Sequence, residues 1–172
     1  MQFSLDPSSA GCTLSGNLVS FTGAGLCIVL ANDPGNQNYG AAPQVQQQIQ
    51  VAKKTQTITF TTTPPSPAPA GTTAPVGASS TSGLPVQITL DGASSGCNLN
   101  GLSVFLTTPG GVCLLDANQP GDTTYLAAPQ VQLAIVIVQP QTVSFTNAPP
   151  GGMVGTTYVP AAQATSFLPV SF

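Results

Sequence analysis

Histidine, glutamate, arginine and tryptophan are all absent from these 172 residues, and two lysines and five aspartates carry all of the side-chain charge. Without histidine or glutamate there is no ready base to activate a serine or threonine hydroxyl, so the sequence reads as a non-enzyme. With only Lys53 and Lys54 there is no basic patch to neutralise phosphates, which argues against nucleic acid as a partner. No apolar run approaches the roughly 18 residues of a membrane helix, so membrane insertion is not expected. The first residues lack a basic stretch followed by an apolar one, and a secretion signal is expected to lie outside this segment. Long helices are disfavoured as well, because glycine (18) and proline (17) make up more than a fifth of the chain and both break helices.

What remains is a chain that is 41% hydrophobic and 4% charged. Its Val, Ile, Leu, Thr and Phe come in short runs, a composition that favours strands over disorder. The chain also repeats itself. Asn38-Tyr39-Gly40-Ala41-Ala42-Pro43-Gln44-Val45-Gln46 returns 86 residues later around Tyr125, and Gln56-Thr57-Ile58-Thr59-Phe60 returns 85 residues later around Val143. Gly11-Cys12 returns as Gly96-Cys97, Leu26-Cys27 as Val112-Cys113, and Ser82 to Val86 as Ser166 to Val170. A period of about 85 residues is too long for a solenoid turn and suits a small autonomous β-sandwich.

One period holds seven extended runs: 56–62, 72–79, 85–90, 97–99, 102–107, 111–117 and 130–138. Asn100-Gly101 between the fourth and fifth is a type I′ hairpin signal. Period-two alternation assigns Ile58, Phe60, Val104, Leu106, Val131, Leu133, Ile135 and Ile137 to the core. The same parity in the first repeat selects Val19, Phe21, Val45, Ile49 and Val51. On the opposite parity Phe105, Val136 and Val138 are outward apolar positions, a candidate assembly surface.

The strings around Gln56–Phe60 with Pro64-Pro65, Ser82–Val86, Phe21–Cys27, Ala117–Asp122 and Asn38–Gln46 resemble the bacterial Ig-like tandem repeats of large surface and secreted fibre or adhesin proteins. The resemblance covers essentially the whole chain. It implies an all-β fold of tandem immunoglobulin-like β-sandwiches of roughly seven strands each, and a stalk-like role outside the cell. The chain departs from antibody-type domains in having no tryptophan and no cysteines at the usual intersheet spacing. Nothing about antigen-type recognition follows.

In this phasing, residues 1–54 are the C-terminal part of one Ig-like repeat, 55–140 a complete repeat, and 141–172 the N-terminal part of a further one. Met1, Gln2 and Phe3 align with Val170, Ser171 and Phe172, and these six mark where a neighbouring chain or the continuing polypeptide completes the unit. Joining of this kind is heterologous and builds an open filament from copies of the chain or adjacent repeats. The expected function is therefore a structural unit of an extracellular or cell-surface filament, joined head-to-tail and packed laterally. The alternative is a binding module of an adhesin that recognises a glycan or surface protein through loops at one end.

Cys12 with Cys27 and Cys97 with Cys113 recur at nearly the same spacing, which pairs them within each repeat and implies an oxidising compartment. A four-cysteine metal site would need the repeats to converge, and no metal or cofactor is expected. The loops Asn32–Asn36 and Asn118–Asp122 carry too few carboxylates for calcium and read as Asx-Pro-Gly turns. Asp6 and Asp91 are counterparts in different repeats, so they do not form a catalytic pair.

Overall fold

A computed structural model describes all 172 residues. The chain is all-β, with sixteen short strands and no helix. They are β1 (Gln2–Leu5), β2 (Cys12–Ser15), β3 (Leu18–Phe21), β4 (Gly25–Asn32) and β5 (Val45–Val51), followed by β6 (Ile58–Thr62), β7 (Ala68–Pro69), β8 (Thr73–Pro75) and β9 (Gly77–Ser80). Next come β10 (Gln87–Leu90), β11 (Cys97–Asn100), β12 (Ser103–Leu106), β13 (Val112–Asn118) and β14 (Val131–Val138), and last β15 (Val143–Phe145) and β16 (Ala162–Ala164). The sheets are β1-β4-β5, β10-β13-β14-β7 and β11-β12-β8, with two-stranded ribbons β2-β3, β6-β9 and β15-β16.

The residues fall into two compact units, each drawing on three stretches of chain. The first comprises Met1–Thr62, Gly77–Thr89 and Asp116–Gln132. Its buried side chains include Cys27, Ile28, Ile58 and Ala117, together with the polar Gln56, Asp116 and Gln119. Asp116 accepts a hydrogen bond from the Gln132 amide at 2.9 Å, so burial does not leave it unpaired. The second unit comprises Thr63–Val76, Leu90–Leu115 and Leu133–Phe172. Its core is Val76, Val104, Leu106, Leu115, Ile135 and Ile137 around Cys113. Each such aliphatic side chain contributes about 1.5–3 kcal/mol by leaving water, and this unit holds most of the chain's large fully buried side chains.

The extended run 72–79 is two strands, not one. β8 pairs with β12, whereas β9 pairs with β6, so the chain changes sheets at Val76. The pivot is held because Val76 is buried and its N–H donates to the Leu102 carbonyl at 2.9 Å. Pro75, which has no N–H, sits at the end of an edge strand, the place in a sheet where proline costs least. Strand β7 lies in a Pro/Ala stretch with no alternation to reveal it, yet it adds parallel to β14 through Ala68 and Pro69.

The β11–β12 turn also differs from the expected one. Asn100 pairs with Ser103, so the two turn residues are Gly101 and Leu102, and only Gly101, at φ 58°, is left-handed. Glycine first in a two-residue loop is the II′ pattern rather than I′. The β2–β3 turn repeats it, with Ser15 opposite Leu18 and Gly16 at φ 59°. In the first unit, two of the side chains assigned to a core face, Phe21 and Val45, are exposed.

Candidate assembly site

Each cysteine pair is bonded: Cys12 to Cys27 with Cα atoms 5.8 Å apart, and Cys97 to Cys113 with Cα atoms 5.7 Å apart. Both bonds join strands of different sheets, β2 to β4 and β11 to β13, despite a spacing shorter than that of antibody-type domains. A loop of this size stabilises by about 3 kcal/mol in the chain-entropy picture. Two such bonds indicate folding in an oxidising compartment, the extracellular kind, and no helix of the chain is long and apolar enough to cross a membrane.

The chemistry of the first unit centres on Gln56, a residue to which sequence reasoning gave no role. Its amide nitrogen donates to Gln119 Oε1 at 2.8 Å and to the Leu126 carbonyl at 2.7 Å, while its Oε1 accepts from the Ser82 hydroxyl. Gln119 Oε1 also accepts from the Gly121 N–H. The side chain thereby ties the start of β6 to the loop after β13, and burial makes each of these bonds costly to lose. The available signal was the return of Gln56 as Gln141, and of Ser82 as Ser166, inside the repeated strings.

That loop is matched, bond for bond, by the loop after β4. The Ala128 N–H donates to the Gln119 carbonyl at 2.9 Å, and the Ala42 N–H to the Asp33 carbonyl at 3.0 Å. Asp122 Oδ1 accepts from the N–H groups of Thr124 and Tyr125, as Asn36 Oδ1 does from Asn38 and Tyr39. Asp33 Oδ1 accepts from the Gly35 N–H at 3.0 Å, the place Gln119 Oε1 takes with Gly121. Gly35 and Gly121 are both left-handed, at φ 74° and 79°, and a Cβ on either would run into the carbonyl of Tyr39 or Tyr125. These side-chain oxygens are thus engaged by the loops' own backbone. The N–H groups of Tyr125 and Thr124 hold the Asp122 carboxyl below its ordinary range, with a smaller pull from Lys53. The Ser8 hydroxyl and N–H do the same for Asp6.

Lys53 Nζ donates to the Asp122 carbonyl at 2.6 Å, and Lys54 forms an isolated parallel bridge with Tyr125. The Lys54 ammonium lies 5.9 Å from the Tyr125 ring centroid, a cation–π distance. Both lysines therefore bind the segment before β6 to the loop that carries Gln119.

The strands of residues 1–54 have open edges. β12 has two neighbours, β11 and β8, whereas β3 has only β2. Likewise β14 lies between β13 and β7, whereas β5 has only β4. Of the residues expected to mark completion, Gln2 and Phe3 pair with Asn32 and Ala31, and the Met1 ammonium lies 3.7 Å from Asp33 Oδ2. Val170, Ser171 and Phe172 belong to no strand, and Phe172 stacks on Phe145 with centroids 6.3 Å apart. Phe105, Val136 and Val138 are all exposed but are divided between β12 and β14, which lie in different sheets. The chain matches no protein-family model, and no curated protein matches it.

Proposed function

We propose that the chain is a structural unit of an extracellular or cell-surface filament, built from tandem Ig-like β-sandwiches of about 85 residues and joined head-to-tail. The carrying observation is that β15–β16 repeats the pairing of β6–β9. Val143 faces Ala164 and Phe145 faces Ala162, as Ile58 faces Ser80 and Phe60 faces Ala78. The flanking bonds recur too: the Thr57 N–H donates to Thr81 Oγ1, and the Thr142 N–H to Thr165 Oγ1. This shared pairing supports the reading in which residues 141–172 open a unit of the kind that 55–140 completes, and 1–54 close another. Separate parts of this kind expose strand edges and apolar faces whose pairing is strongly favoured.

In this reading the chain has no catalytic task. Its scarce charge leaves little self-repulsion to oppose lateral packing, for which Phe105, Val136 and Val138 supply apolar contacts on two sheets. Electron microscopy of the native material, with intact mass under non-reducing conditions, tests the proposal. The expected result is a continuous fibre beaded once per period with all four cysteines oxidised. Dispersed compact particles would refute it.

A further inference from the structure

Resting on that reading, we infer that the partner of residues 1–54 is residues 141–172 of a second copy of this chain, held in a defined register and locked by Gln141 on Asp33. The receiving loop is already formed. Asp33 Oδ1 and the Gly40 carbonyl stand where Gln119 Oε1 and the Leu126 carbonyl stand, and the latter two receive the Gln56 amide. Gln141 is Gln56 in the incoming segment. Its Oε1 accepts from Ser166, just as that of Gln56 accepts from Ser82, but its amide nitrogen is left in solvent without a partner. One segment has the donor and the other has the acceptors. Here the acceptor is a carboxylate, which makes the bond charge-assisted and stronger than its amide counterpart.

The open edges set the register. Ala68 pairs with Ile137 and Pro69 with Val138, so the counterpart segment within 152–154 adds parallel to β5 beside Val51 and Ala52. Thr73, Ala74 and Pro75 pair with Phe105, Val104 and Ser103, so Thr157, Tyr158 and Val159 add antiparallel to β3 beside Ser20, Val19 and Leu18. In the unjoined chain 152–159 form no strand, and Met153, Val154 and Val159 are among its most exposed apolar side chains. Val170 to Phe172 duplicate Met1 to Phe3, which already hold the place beside β4. The joint therefore expels them and releases Phe145 from Phe172. Strand addition at an open edge supplies affinity through the backbone and specificity through alternate side chains.

The test is sedimentation of the full 172-residue chain against concentration, with Asp33→Ala, Gln141→Ala and the double variant. Neither side chain belongs to a buried core, and thermal unfolding checks that each variant keeps its fold. The wild-type chain is expected to polymerise. Each single substitution should weaken association about tenfold or more, the scale of a hydrogen bond to a charged group, and the double variant should be no weaker than the poorer single, because the two groups lose one shared contact. Amides of 157–159 should gain hydrogen-exchange protection in the polymer. Additive or absent effects on an intact polymer would overturn the Gln141–Asp33 lock while sparing the filament reading. A monomer at every concentration, with 157–159 protected, would mean closure on the same chain and would overturn the second copy. A monomer with 157–159 unprotected would overturn both.

Discussion

Leu106 and Phe21 occupy the same place in two similar hairpins, each opposite a disulfide cysteine, Cys97 and Cys12. Leu106 is fully buried, whereas Phe21 is 56% exposed. Ile58 and Val143 make a second such pair, each first in its strand, β6 and β15, at 6% and 59% exposed. The hairpins form in both settings because turn chemistry, strand propensity and the disulfide act locally. Burial needs something opposite: β12 has β8 as well as β11 beside it, whereas β3 has only β2.

The largest effect that could break this comparison comes from truncating the paired positions. Leu106→Ala should destabilise the chain by about 2–5 kcal/mol in denaturant melts. Phe21→Ala should cost under about 0.5 kcal/mol in the unjoined chain, as surface changes do. An equal cost at both would mean that Phe21 is already covered.

A middle-sized effect is expected at the glutamines. Gln56→Ala leaves Gln119 and the Leu126 carbonyl short of a donor and should cost about 1–3 kcal/mol, whereas Gln141→Ala in the unjoined chain should be nearly neutral by the same melts. A large cost at Gln141 would place an acceptor for its amide within a single chain.

The smallest effect concerns the matched loops. Asp122 has a carboxyl held below its ordinary 3.8 by the N–H groups of Tyr125 and Thr124. Its contribution to stability is present above that ordinary value and is lost as pH falls through the depressed one. Asn36 makes the same bonds without titrating. Below about pH 4 the amide resonances of Thr124 and Tyr125 should therefore shift, and they should not in Asp122→Asn, which restores the Asn36 arrangement; equal shifts in that variant would show that Asp122 is not their cause.

Much of this was legible before any coordinates. Alternation picked out Val104, Leu106, Ile135 and Ile137 as buried, and recurrent spacing paired the cysteines correctly. Gln56 escaped notice because a glutamine before a strand ordinarily faces solvent, and only the approach of the loop carrying Gln119 and Leu126 makes it a buried hub. The run 72–79 read as one strand because its composition is uniform. The division at Val76 depends on Leu102, a residue distant in sequence that accepts the Val76 N–H.

By itself the sequence determined an all-β chain, most of its strand positions, its turns to within a residue, and its two disulfides. These follow from local dihedral preference, period-two patterning and spacing, which are properties of short stretches. The tertiary structure decided where the chain changes sheets, which strand edges stay open, and which of two similar apolar faces is covered. Those outcomes depend on what lies across from a strand, and identical local patterns carry no record of it.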